Sequence, residues 1–287
     1  MVAAPARLCS NSSMIPAIAD LIRLLDLEKI EENIFRGQNP ADAAVRVFGG
    51  QVLAQALVAA ARTAPEGRRC HSLHAYFLRA GDPAIPILYE VDRSRDGGSF
   101  SVRRVVAIQH GAQIFVLAAS FQKDEAGFEH QAVMPPVPPP EDLPEAQIDA
   151  RLAAAWRARP FEFRPVLPRA LGDRPARQAL DHIWFRVPSP LEGEAVLHQA
   201  FLAYVSDMAL IDTALLPHGK GLFSDVQVAS LDHAMWFHRP FRADDWMLYS
   251  LDSPAAFGAR GYARGSIFLR DGTLIASVAQ EGLIRPR

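Results

Sequence analysis

The sequence predicts an α+β fold made of two tandem antiparallel sheets, each wrapped around a central helix. Three observations carry this expectation. Met134 to Pro144, MPPVPPPEDLP, is a proline-rich break that can neither continue a helix nor pair inside a sheet. The stretches on either side repeat one order of elements: helix, strand, strand, long hairpin. Each helix is followed by a run of strands with no second helix to cover another face, so the sheet must curl around the one it has. The expected division is 20–130 for the N-terminal unit, 131–160 for the proline-rich linker and 161–287 for a C-terminal unit that carries the chemistry.

In the first unit, Gly49-Gly50-Gln51 precedes VLAQALVAAARTA, rich in helix formers, with Gln51 and Gln55 as its only polar side chains before Arg62. A helix apolar on nearly all sides has to be surrounded. HSLHAYFLRA, PILYEV, SFSVRRVVAIQ and IFVLAASFQ then read as strands, β-branched and aromatic, with His110-Gly111 as a tight hairpin turn. In the second unit FEFRPVL and DHIWFRV supply opening strands. HQAFLAYVSDMALIDTAL follows, with Leu197, Phe201, Tyr204, Met208 and Ile211 in one apolar helical stripe. VASLDHAMWFHRPF, DWMLYSL, ARGYARGSIFLR and TLIASVAQEGLI complete the second sheet, the last two joined at Asp271-Gly272.

The chain has 287 residues, with 30 basic against 32 acidic side chains and no long single-sign run, which argues against a nucleic-acid partner or an anionic-membrane binder. Its two cysteines, Cys9 and Cys70, have neither disulfide-framework nor zinc spacing, and a reducing cytoplasm fits them. Pro5 and the polar run Ser10 to Ser13 interrupt the place where a signal peptide would be apolar, and Met14 is an alternative start. No run of ~18 consecutive apolar residues suggests integral membrane association.

Several motifs, in order, carry a resemblance: Phe35-Arg-Gly-Gln38, Val47-Phe-Gly-Gly-Gln51, His71-Ser-Leu-His-Ala-Tyr-Phe-Leu-Arg79, Asp96-Gly-Gly-Ser-Phe100, Ala119-Ser-Phe-Gln122, Gly127-Phe-Glu-His-Gln131, Tyr204-Val-Ser-Asp207, Asp232-His-Ala-Met-Trp-Phe-His-Arg-Pro240 and Ala279-Gln-Glu-Gly282. Over about residues 22 to 285 the chain resembles the acyl-CoA thioesterase II family, and matches it poorly from roughly 135 to 180. The resemblance implies a double hotdog fold and hydrolysis of fatty acyl-CoA to free acid and CoA, with no cofactor, metal or covalent intermediate. It also implies a homo-oligomer. The family's catalytic aspartate, hydroxyl residue and glutamine fall by that similarity on Asp207, Ser230 and Gln280, with serine where family members often carry threonine.

The chemistry is coherent with those residue types. A thioester carbonyl is weakly stabilised by resonance, so a positioned water and a general base suffice where other acyl transfers use a serine or cysteine nucleophile. Asp207 would take the proton; Ser230 and Gln280 would hold the water. Helical spacing alone sets both Asp207 and Asp212 on flanks of the apolar stripe, where a solvated or capping role is the alternative, and the matched motif favours Asp207. For CoA phosphates the candidates are Arg260 and Arg264, with Arg103 and Arg104, against a reading as ordinary surface arginines. Met208, Trp236 and Phe237 are candidate acyl-channel residues or else core. The pairs His71/His74 and His233/His238 have odd strand spacings that put each pair on opposite faces, which disfavours a metal site. No G-x-S-x-G elbow or D-x-N-P-x-H hydratase motif occurs. A double-hotdog enoyl-CoA hydratase and a non-catalytic acyl-CoA binding protein are the competing functions.

Overall fold

The computed structural model describes residues 16–40, 45–144 and 148–287; Cys9 and the N-terminal run lie outside the described residues. In the first half, α1 (Pro16–Leu25), β1 (Glu28–Glu31) and β2 (Ile34–Gly37) lead into α2 (Gly49–Ala61). They are followed by β3 (Arg68–Phe77), β4 (Ile87–Asp96), β5 (Phe100–Gln109) and β6 (Ala112–Lys123). The second half contains α3 (Ala150–Arg157), β7 (Glu162–Pro165), β8 (Leu180–Arg186) and α4 (Ala195–Ser206). A 3₁₀ segment (Ile211–His218), β9 (Val226–Ser230), β10 (Asp232–Phe237), β11 (Met247–Phe257), β12 (Arg260–Leu269) and β13 (Leu274–Pro286) complete it.

Helix α2 is buried from Gly50 to Ala60, as its composition requires. Its two polar side chains are satisfied inside the core. Gln51 donates to the Gln38 carbonyl and Asn39 Oδ1, while Gln55 donates to the Leu24 and Gln38 carbonyls and accepts from Tyr89 Oη at 2.7 Å. They pin the segment after β2 onto the helix, where an unpaired amide would cost about 1–3 kcal/mol. Helix α4 is likewise buried over His198–Ser206 and packs beside α2. By length and composition Ala195–His218 would cross a membrane, but its apolar window is 83% buried inside the protein and the helix breaks after Ser206. It is the second core helix.

The strands form one antiparallel sheet among the described residues, in the order β1-β2-β4-β5-β6-β3-β10-β13-β12-β11-β8-β7, with β9 also on β13. The two predicted sheets therefore share an edge. At the seam β3 and β10 pair with Leu73 opposite Met235, His74 opposite Ala234 and Ala75 opposite His233. The inner face, set by the period-two alternation, encloses both helices in one core that draws on both halves. The turn at His110-Gly111 has φ of 50° and 70°, the mirror-image geometry that fits strand twist, so glycine there is required by conformation.

The proline-rich stretch is packed against the second half. Met134, Val137 and Leu143 cover Trp184, Leu248 and Phe268 on the outer face of the sheet, and Trp184 Nε1 donates to the Pro138 carbonyl at 2.9 Å. Farther along, Asp149 caps α3 by accepting from the Arg151 and Leu152 amides. The stretch expected as a bare linker thus includes a strap and a helix.

Candidate active site

The catalytic candidates meet where the end of α4 reaches the start of α2. Helical spacing placed Asp207 within a continuous helix. In the structure α4 stops at Ser206 and Asp207 is its C-cap, which turns the carboxyl toward the first turn of α2. Asp207 Oδ1 accepts from Gln280 Nε2 at 2.7 Å and from Ser230 Oγ at 3.3 Å. Gln280 points inward from β13 by the alternation of that strand, and Ser230 reaches the carboxyl because β9 lies beside β13, Ser230 opposite Gly282.

The Gly50 amide also donates to this carboxylate. Helix α2 begins after Phe48, which supplies no side-chain cap; the Gln51 amide turns back to the Phe48 carbonyl, while the Gly50 amide meets the anion that the helix dipole favours there. Both glycines are demanded by crowding. A Cβ on Gly49 would lie 2.7 Å from Asp207 Oδ2, and one on Gly50 would lie 2.3 Å from the Tyr204 carbonyl oxygen.

Burial pushes the Asp207 pKa up, against the Gln280, Ser230 and Gly50 hydrogen bonds and a weaker attraction from Arg46, and the net result is a rise from 3.8 to about 6. Desolvation wins. Gln280 Oε1 is buried with no hydrogen-bond partner among the described residues. Behind the carboxyl, Ser206 Oγ donates to the Ala203 carbonyl and lies 2.9 Å from His233 Nε2, while Tyr249 Oη donates to the Ser206 carbonyl at 3.1 Å. Burial holds the His233 pKa down at about 3, so its ring is neutral.

The other sequence candidates are placed elsewhere. Asp212 is buried in an ion network: Arg169 and Arg174 reach Oδ2 at 2.8 and 2.9 Å, and the Leu222 amide donates to Oδ1. Burial would raise its pKa, but the two arginines outweigh that and hold it low. Its role is structural. Arg260 and Arg264 project from the outer face of β12, because Gly261, Ala263 and Gly265 take the inner one; they pair with Glu281 and Asp252. The structure does not bring them to Asp207. Arg103 is fully buried, bound to Asp96 and Thr63, and is no surface phosphate ligand. Trp236 is also on the outer face, edge-on to His74 at 5.1 Å, so the expectation that it lines an inner channel is corrected by strand alternation. Met208 is half-buried beside Asp207 in sequence and packs on the main core, and Phe237 is buried there too.

Sequence reasoning missed the Gly49-Gly50 contact, although two glycines directly before a buried helix were its signal. It also missed Arg159, whose guanidinium donates to Tyr204 Oη at 2.6 Å and lies 5.0 Å over the Phe48 ring. Among the described residues, no group of three or more His, Cys, Asp or Glu side chains is arranged to hold a metal ion.

Two helix-wrapped sheets sharing an edge, with a carboxyl, a hydroxyl and an amide gathered where the helices meet, define a double hotdog protein. Residues 157–283 match the acyl-CoA thioesterase family model, and 38–122 match the model of the acyl-CoA thioesterase N-terminal domain. The chain is 45% identical to acyl-CoA thioesterase 2 of Haemophilus influenzae, over 93% of this chain and 97% of that one. It is 44% identical to acyl-coenzyme A thioesterase 8 of Homo sapiens, over 91% and 88%. A crystal structure of an acyl-CoA thioesterase II from Mycobacterium marinum superposes with a TM-score of 0.79 at 44% identity, covering 93% of this chain and 98% of that one. The chain belongs to the acyl-CoA thioesterase family.

Proposed function

We propose that this acyl-CoA thioesterase hydrolyses fatty acyl-CoA through a water activated by Asp207 and held by Ser230 and Gln280. The observation that carries the reading is the convergence of Ser230 and Gln280 on the Asp207 carboxyl, whose pKa is raised to about 6, which makes it a far better base near neutrality than an ordinary aspartate. The water gives one proton to Asp207 and directs the other at Gln280 Oε1, the buried acceptor with no partner. Its oxygen attacks the thioester carbon, and the positive end of the α2 dipole stabilises the negative charge that develops on the carbonyl oxygen. The tetrahedral intermediate collapses with loss of the CoA thiolate, which takes the proton back from Asp207, and the acid is released.

Arg46 and Arg159, near the same helix start, suit the anionic part of CoA better than the outer-face arginines do. The reaction is metal-free and the enzyme cytoplasmic in this reading. The exposed outer-face aromatics Tyr76, Trp236 and Tyr262 favour self-association.

The test is purified protein with palmitoyl-CoA and a thiol-detecting reagent, with and without EDTA, beside crotonyl-CoA followed by absorbance. Thiol release unchanged by EDTA is expected. Hydration of crotonyl-CoA without thiol release would replace the reading, and loss of thiol release in EDTA restored by zinc would remove its metal-free part. Light scattering should show a species larger than the 31.5 kDa chain, and cell fractionation should recover activity in the cytosol.

A further inference from the structure

The seam relates the halves by a two-fold axis through the Ala234–His74 pair: Met235 faces Leu73 as Ala75 faces His233. Under that axis Ser230 corresponds to Cys70, and the match extends to detail, since Ser230 faces Gly282 as Cys70 faces Phe121. The irregularity at Leu231 between β9 and β10 likewise matches the bulge between Cys70 and Ser72. Val278 faces Met235 as Leu117 faces Ala75, which sets Ala119 in the place of Gln280. Arg62, the C-cap of α2, stands where Asp207 caps α4. Gln122, which resembles Gln280 in sequence, is displaced from that position and donates to Glu125 at the surface.

At this mate position lies a cavity of about 730 Å³. Its walls include Ile22 and Leu25 of α1, Val58 and Ala61 of α2, Phe121 and Leu197. That volume is in the range of small-molecule sites. The acidic residues around it, Asp26, Glu66, Asp124 and Glu194, are all exposed, as is Arg62; Arg68 and Arg69 are half-buried beside them, and the aliphatic walls are buried or half-buried. The charges mark a mouth and the hydrocarbon marks an interior. Among the described residues, nothing inside supplies the hydrolytic groups. Ala119 has no amide, Arg62 is no base, and the Cys70 thiol donates to the Ser72 carbonyl with its pKa pushed up by burial to about 12.

We propose that this cavity binds a linear acyl chain with its polar head at the mouth and does not cleave it, a second and non-catalytic acyl site in each polypeptide. The proposal rests on the thioesterase reading for the class of ligand. The chain comes from free fatty acid or from acyl-CoA, and binding experiments separate the two. Calorimetric titration with a non-hydrolysable S-hexadecyl-CoA thioether, and separately with palmitate, should reveal two chains per polypeptide for at least one of them. Saturation by palmitate assigns the site to the free acid; a second site seen only with the thioether assigns it to the CoA derivative. Ala61→Trp, which fills the cavity, should weaken the second binding event about tenfold or more while leaving thiol release from octanoyl-CoA within about twofold.

Ala64→Phe, at the same cavity, serves if Ala61→Trp fails to fold. In the unaltered protein, a diazirine-bearing fatty acid or its CoA thioether should label peptides containing Val58, Phe121 or Leu197. One chain per polypeptide, or no label on those peptides, overturns the proposal. It is also overturned if filling the cavity selectively abolishes turnover of long chains at a stoichiometry of one, because the cavity would then be the far end of the catalytic channel. Two chains bound with no thiol release from any substrate would sink the proposed reaction and leave this site standing.

Discussion

In the proposed mechanism Asp207 sets the pH behaviour of the protein, and the sign of each effect follows from its raised pKa. As a base it works only when ionised, so log kcat/KM should climb with pH and level off above an apparent pKa near 6. Ser230 and Gln280 donate to the ionised form, so Ser230→Ala and Gln280→Ala should each move that limb to higher pH as well as lower the plateau. Asp207→Ala should lower kcat by about 10²-fold or more, with a smaller effect on substrate affinity. Stability responds in the opposite sense. The folded carboxyl holds its proton more tightly than the unfolded one, so its favourable contribution is present below about pH 4 and is lost as pH rises through about 6. Asp207→Asn should therefore gain thermal stability over the unaltered protein at pH 8, by up to about 3 kcal/mol, and show no gain at pH 4. Thermal melts at the two pH values decide it. The grouping of Asp207 with Ser230 and Gln280 was expected from the matched motifs, and the structure brings the three side chains together. What the sequence did not reveal was the end of α4 at Ser206, since Met208 and Ile211 continue the apolar stripe and only tertiary packing turns the carboxyl aside.

Among the elements, the first turn of α2 is the most tightly constrained, because one helix end abuts another there. Gly50→Ala would drive a methyl into the Tyr204 carbonyl, so the expected result is a loss of roughly 1–3 kcal/mol together with a fall in kcat, as the amides that face Asp207 are pushed away. Chemical denaturation paired with thiol-release assays separates the two losses. Asp212→Ala should do the reverse of Asp207→Ala: leaving Arg174 without a carboxylate and Arg169 with Asp181 alone should cost up to about 3–5 kcal/mol of stability while the folded enzyme keeps most of its kcat. A stable Asp212→Ala protein with collapsed turnover would return that residue to the chemistry. The strands and hairpins could be read from alternation and turn residues, as at His110-Gly111. Which face each residue occupies within the sheet could not be assigned for Trp236, Arg260 and Arg264, because register depends on the partner strands. The strap over Trp184 was hidden for a related reason: proline content marks where regular pairing stops but not what the segment will cover.

At the scale of the whole molecule, one junction between the halves gathers Asp207, Ser230 and Gln280, and its mate, among the described residues, has Arg62, Cys70 and Ala119 in the corresponding places. Active-site titration should accordingly find one catalytic centre per chain, and burst or inhibitor stoichiometry of two equivalent centres would contradict it. The groups gathered at the Asp207 carboxyl come from both halves: Gly50 belongs to the first, and Asp207, Ser230 and Gln280 to the second. Their alignment depends on the β3–β10 seam, whose paired residues are far apart in sequence. Closing so long a loop is entropically costly, and contacts of this kind form late in folding. During refolding, far-UV circular dichroism should recover first, while hairpins such as β5–β6 and β12–β13 form within their own halves. Thiol-releasing activity should lag behind it. The seam acts as a clock on assembly: a newly made chain carries much of its secondary structure before it can turn over a single substrate, and proline substitutions along β10 would lengthen that silent interval.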